Sequence, residues 1–283
     1  MKKILITGAT GTVGSEVVRQ LTSKTENVRA AVRNPEKARE INLGNAKIVH
    51  WDYDKPASFE NALENTERLM LIAPSGSPNS HQYLNPAVDA AKRAGVKHIV
   101  LLSAMGVDSN DEIPLRKVEL HIQSSGIDYT FVRPNWFMQN FVTWMGQSIK
   151  EGGIYLPAGT GKTTFIDVKD VAGVIVEALT DNRHLNKEYN ITGVDSLDHG
   201  EVAQKISGVI GKPVAYNDIP EADFKSALMG FGYPEDAADF MVMLYGPVKA
   251  GYTGVTTPDA ESVLGRAPHS FDTFVDENKA AWE

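Results

Sequence analysis

Three glycines near the amino terminus constrain this chain most. The apolar run Ile4-Leu5-Ile6 leads directly into Gly8-Ala9-Thr10-Gly11-Thr12-Val13-Gly14. Apolar residues then recur at helical spacing at Val13, Val17, Val18 and Leu21. A strand that breaks into a Gly-x-x-Gly-x-x-Gly turn and reopens as a helix is the opening of a βα unit. Each glycine has its own reason: Gly8 for the tight turn, Gly11 for close approach of backbone to a ligand, Gly14 for close packing of helix on sheet. The free N–H groups of Thr10, Gly11, Thr12 and Val13 at the helix start suit an anion.

The rhythm continues. Strand-length apolar runs occur at 3–7, 28–32, 46–51, 68–73, 98–102 and 129–133, with amphipathic helical patterns between them. Strands that are apolar almost throughout belong to a parallel sheet covered on both faces. Right-handed crossovers then make it doubly wound. The expected fold is therefore α/β: a Rossmann-type doubly wound parallel sheet with a smaller C-terminal lobe. Residues 1–135 form the first domain, with 164–192 (a helix at 168–179 and a strand at 188–192) rejoining it. Residues 136–163 and 193–283 form the lobe, which opens on the dense run Trp136, Phe137, Met138, Phe141, Trp144, Met145.

Composition narrows the function classes. A formal net charge of −8 over 283 residues, with no basic stripe, argues against nucleic acid or an anionic membrane as partner. The chain has no cysteine, which excludes thiolate chemistry and cysteine metal sites. Its seven histidines are scattered without a His-x-x-x-His pair, so no metal site is expected. The apolar run after Lys3 stops at Thr7-Gly8, too short for a secretory signal, and no 18-residue apolar stretch exists. A cytoplasmic location is the default expectation.

The phosphate-facing turn implies a dinucleotide, and the second strand addresses which one. NAD-selective sites place a carboxylate at the end of that strand. Here it ends Val32-Arg33-Asn34, with Lys37 a turn later. A guanidinium there suits a 2′-phosphate, so NADP(H) is expected over NAD(H). One charged hydrogen bond contributes about 1.5–3 kcal/mol, roughly tenfold to 150-fold in preference. Asp52, after the third strand, either accepts from an adenine amino group or caps a turn.

Gly8–Gly14, Val32-Arg33-Asn34-Pro35-Glu36-Lys37-Ala38, Ala94-Gly95-Val96-Lys97-His98-Ile99-Val100, the run from Ser125 to Pro134, and the late Gly265-Arg266-Ala267-Pro268 resemble the NmrA-like branch of atypical short-chain dehydrogenases/reductases. The resemblance covers essentially the whole chain and extends to bacterial NAD(P)H-dependent quinone, azo-dye and triphenylmethane-dye reductases. It implies an oxidoreductase. It also admits a cofactor-redox-sensing regulator without turnover and, third, a nucleotide-sugar epimerase or dehydratase. The Tyr-x-x-x-Lys pair of the wider superfamily is absent. On the helix that starts near Asp111, its positions fall on Asp111 and Leu115. Lys117 is the nearest basic group, as a weak catalytic candidate or a solvated lysine. Simple carbonyl chemistry needs a positioned acid/base. Quinones and azo or triphenylmethane dyes accept hydride without one, so a small aromatic acceptor is the expected partner, and the protein a monomer or homodimer.

Ligands lie beyond the carboxyl ends of the strands. Those ends give Ala73-Pro74-Ser75, Ser103 and Pro134-Asn135-Trp136-Phe137. Ser103 either orients nicotinamide or substrate, or caps a turn. Trp136, Phe137 and Phe141 either stack on a planar acceptor or fill a core. Tyr155, His81 and Tyr83 are further proton-donor or pocket candidates. Gly159-Thr160-Gly161-Lys162-Thr163-Thr164 imitates a P-loop, but position 156 is Leu156 where a glycine is required, so a turn is expected.

Overall fold

The computed structural model describes residues 3–25, 27–74 and 76–283, so Ser75 lies outside the described residues. Among the described residues nine strands run in chain order: β1 Lys3–Ile6, β2 Val28–Val32, β3 Lys47–His50, β4 Thr66–Ile72, β5 His98–Leu102, β6 Asp128–Pro134, β7 Gly153–Leu156, β8 Lys187–Ile191 and β9 Ala215–Asp218. The chain divides into two compact units. The first comprises 1–134, 168–191 and 262–265; the second comprises 135–167, 192–261 and 266–283.

The first unit holds a seven-stranded sheet in the order β3-β2-β1-β4-β5-β6-β8. Every pairing is parallel. The order reverses direction at β1, where β1 lies between β2 and β4. That is the switch point of a doubly wound sheet. Side chains alternate across it. Leu5, Leu69, Leu71, Ile99, Leu101 and Phe131 pack with Leu84, Val88 and Ile122 from helices Ser80–Arg93 and Pro114–Ser125. Helices Thr12–Thr22 and Val168–Thr180 pack on each other. Gln20 seals that pair by donating to the Lys169 carbonyl at 3.0 Å.

The return to the sheet begins at Val168, four residues later than the sequence suggested. The reason is local: Thr164 N–H donates to Thr253 O at 3.0 Å and Ile166 N–H to Trp136 O at 2.9 Å, both within the second unit. Residues 262–265 also belong to the first unit, which the sequence did not indicate. A Cβ on Gly173 would meet Leu264 Cδ2 at 2.7 Å, so bare backbone in helix Val168–Thr180 admits that leucine. The expected helix from Asp111 starts instead at Pro114, whose fixed φ suits a first helical position.

The second unit contains the parallel pair β7–β9 and the helices His199–Ile210, Glu221–Gly230, Glu235–Lys249 and Phe271–Asn278. Its core is aromatic: Phe141, Phe165 and Phe271 meet edge to face or tilted, and Trp282 Nε1 donates to the Phe141 carbonyl at 2.8 Å. The P-loop imitation is packing. A Cβ on Gly161 would lie 1.9 Å from the Val248 carbonyl oxygen, and Lys162 pairs with Glu201 at 2.9 Å.

Candidate functional site

The site is built at the switch point, on the loop that links β1 to helix Thr12–Thr22. Gly8 takes φ +61°, a left-handed conformation that glycine adopts without strain. Gly11 N–H closes the turn on Gly8 O at 2.9 Å, and Ser15 N–H makes the first helical bond, to Gly11 O at 2.9 Å. Gly14 packs on the same carbonyl so closely that a Cβ there would lie 2.1 Å from Gly8 O. Gly8, Thr10, Gly11 and Thr12 are exposed, while Ala9 and Val13 are buried anchors.

Among the described residues no side chain caps this helix, and no acid stands in its first turn. The N–H groups of Thr12, Val13 and Gly14 therefore precede the first helical bond with nothing of the helix's own to satisfy them. Glu16, farther along the helix, is held by Arg19 at 2.5 and 2.7 Å and by Gln20 at 2.8 Å. The result is a bare, positively polarised helix end, as an anion requires.

Arg33 follows β2 directly and is exposed. Asn34 caps the short helix Pro35–Ala38, accepting from Glu36 N–H and Lys37 N–H. Among the described residues, neither the Arg33 guanidinium nor the Lys37 ammonium has an ion-pair partner. Asp52, by contrast, is largely buried and engaged in a turn: Oδ1 accepts from Asp54 N–H at 3.1 Å, and Lys55 Nζ lies 3.6 Å from Oδ2.

The floor beside this loop involves Tyr53, for which no local sequence signal exists. Its hydroxyl donates to Ile72 O at 2.8 Å and lies 3.3 Å from Thr7 Oγ1. Burial pushes the phenol pKa up, so the hydroxyl stays a donor. Ala73 and Pro74 follow, half-buried, at the tip of β4. On the helix after them, Ser80 Oγ, His81 Nδ1 and Asn85 Oδ1 are buried without a hydrogen-bond partner among the described residues.

Ser103 and Lys117 are occupied elsewhere. The Ser103 hydroxyl donates to Glu119 Oε1 at 2.7 Å. Glu119 is fully buried and also takes Arg133 Nε at 2.8 Å, Arg133 Nη2 at 2.7 Å and Arg116 Nη1 at 3.0 Å. Arg133 completes the network on Asp108 at 3.0 Å and Glu188 at 2.7 Å. Burial opposes its charge, but these carboxylates win and raise its pKa. Lys117 pairs with Glu112 at 2.7 Å on the helix exterior, and Asp111 pairs with Arg116 at 3.1 Å.

In the second unit Phe141 is a correction to the stacking expectation: it is fully buried between Phe165 and Phe271 and offers no free face. Trp136 is half-buried against Tyr245, ring centres 5.0 Å apart. Phe137 is half-buried, and Tyr155 is 51% exposed with its ring across Gly153.

The chain is similar to known proteins over most of its length. The NmrA-like family model matches residues 1–274. The NAD(P)H azoreductase of Xenophilus azovorans is 36% identical over 284 residues, 99% of each chain. Quinone oxidoreductase 2 of Escherichia coli (strain K12) is 31% identical over 246 residues, covering 84% of this chain and 85% of that protein. The crystal structure of Citrobacter sp. triphenylmethane reductase complexed with NADP(H) superposes with a TM-score of 0.84 at 27% identity, covering 97% of this chain and 99% of that one. The fold and glycine loop define a Rossmann-type nucleotide-binding protein. The chain belongs to the NmrA-like family, among that family's oxidoreductases.

Proposed function

We propose that this protein is an NADPH-dependent reductase of electron-poor aromatic acceptors: quinones, azo dyes or triphenylmethane dyes. The carrying observation is the pairing of an uncapped, acid-free helix end with the Arg33 guanidinium after β2, which has no ion-pair partner among the described residues. The residues present fit a dinucleotide. Gly8, Thr10, Gly11, Thr12, Val13 and Gly14 would hold the diphosphate, Arg33 and Lys37 the 2′-phosphate, and Asp52, Ala73 and Pro74 the adenosine and nicotinamide-ribose ends. The bound nicotinamide supplies a hydride.

What the chain itself provides supports the acceptor class. The positions where the wider superfamily keeps its acid/base pair carry Asp111 and Leu115. Lys117 is tied to Glu112, and the Ser103 hydroxyl is committed to Glu119. Acceptors that take hydride before they need a proton suit such a site; the chain then contributes orientation and exclusion of water. Within the second unit, Trp136, Phe137 and Tyr155 retain ring surface.

Steady-state oxidation of NADPH across a panel of quinones, azo dyes and triphenylmethane dyes tests this. Acceptor-dependent loss of NADPH absorbance is expected. Tight NADPH binding with no turnover of any acceptor would favour a redox-sensing regulator instead.

A further inference from the structure

The end of β1 is held by side chains where ladder bonds would ordinarily hold it. The β1–β4 register runs to Ile6 opposite Met70, and Thr7 N–H still donates to Met70 O at 3.1 Å. The main chain then leaves the sheet at Gly8. From there the Thr7 hydroxyl takes over: it accepts from Ile72 N–H at 3.0 Å and donates to Met70 O at 3.0 Å. Tyr53 closes the arrangement, its hydroxyl bonded to Ile72 O with a longer branch to Thr7 Oγ1. Its ring is confined by Trp51, Phe59 and Tyr83, with centres 5.8, 6.1 and 6.4 Å away. Gly8 rests on Ile72, whose Cδ1 would lie 3.4 Å from a Gly8 Cβ. A shift at the tip of β4 is therefore passed to the turn.

We propose that Tyr53 is a positioning residue for the cofactor: through Ile72 and Thr7 it fixes where the chain leaves β1, and so the aim of the N–H groups that open helix Thr12–Thr22. This deepens the dinucleotide reading and rests on it. Tyr53 is not itself proposed to touch the ligand; it acts on the loop through Ile72 and Thr7.

The variant Tyr53→Phe keeps the ring and removes only the hydroxyl. Calorimetric Kd and steady-state KM for NADPH should rise about five- to tenfold, the worth of one buried hydrogen bond. The kcat should stay within about twofold and the KM for a quinone acceptor should not move, because the hydroxyl is committed to Ile72 and Thr7. A lowered Tm with wild-type Kd and KM for NADPH would reduce Tyr53 to a structural residue and overturn the proposal. Thr7→Ser and Thr7→Val give a second route should Tyr53→Phe fail to fold. The serine variant should bind NADPH as wild type does and the valine variant should match the expected loss; equal binding by both overturns the proposal. Wild-type protein that binds no NADPH overturns the dinucleotide reading and this inference together. Normal wild-type binding beside an unaffected Tyr53→Phe overturns this inference alone.

Discussion

At the scale of single residues, the proposed cofactor site rests on bare backbone and on two basic side chains, Arg33 and Lys37, that have no ion-pair partner among the described residues. Gly14 is the sharpest case, since its absent side chain leaves room for Gly8 O at what would be 2.1 Å. Gly14→Ala should force helix and turn apart, raising the Kd for NADPH at least about tenfold and costing roughly 1–3 kcal/mol of stability in urea unfolding. Gly208→Ala is the control. Gly208 sits inside helix His199–Ile210 with no atom within 4 Å of its would-be Cβ, so alanine should stabilise by about 0.5–1 kcal/mol. Arg33→Ala should cost NADPH about tenfold or more in Kd and leave NADH nearly unchanged. Equal losses for both would take Arg33 out of the site. His199 carries a pH signature. It is buried against Phe141, Phe165 and Tyr216, and desolvation pushes its pKa from 6.5 down to about 4. Unfolded chains bind that proton first, so stability is full above pH 6.5 and falls as pH drops from 6.5 to about 4. The loss attributable to this one group approaches roughly 3 kcal/mol at the acid end. Tm measured against pH should flatten over that window in His199→Gln, and an unchanged slope would contradict the assignment.

At the scale of elements, the network that joins β5, β6, β8 and helix Pro114–Ser125 should carry more stability than any surface pair. Glu119→Gln leaves Arg133 facing only Asp108 and Glu188, and should cost about 3 kcal/mol in urea unfolding. Asp272→Asn, which removes an exposed partner of Lys205, should cost under about 1 kcal/mol. The same elements mark what could be read in advance. β1, β2, β4, β5 and β6 were visible as apolar runs because they are interior strands buried on both faces. The glycine loop and Arg33 were visible because their meaning is local, set by position relative to a strand. Glu119 and Arg133 lie 14 residues apart, and Arg133 and Glu188 lie 55 apart, so no short-range spacing encodes that network. The one available signal was a carboxylate beside Val118 and one turn from Ile122 on a buried helix face. Tyr53 was hidden in the same way, since its partners Thr7 and Ile72 lie 46 and 19 residues away. In the second unit, β7 and β9 are four-residue strands, and Tyr216-Asn217-Asp218 carries no strand-like apolar pattern. Their pairing is a tertiary choice that the local sequence does not announce.

At the scale of the whole molecule, one chain builds two units by leaving the sheet at Pro134 and returning at Val168. The first unit presents a helix end free of acids at its switch point, although the protein carries a net charge of −8. Ionic screening limits the reach of distant charges to about 10 Å at 0.1 M salt, so the global charge does not by itself exclude an anion from this end. The central claim is that this helix end, together with Arg33, selects a phosphorylated nicotinamide dinucleotide. Isothermal titration of the wild-type protein with NADPH and with NADH addresses it most directly. NADPH should bind at one site per chain and more tightly than NADH by about tenfold or more. No heat with either nucleotide, or tighter binding of NADH, would contradict it.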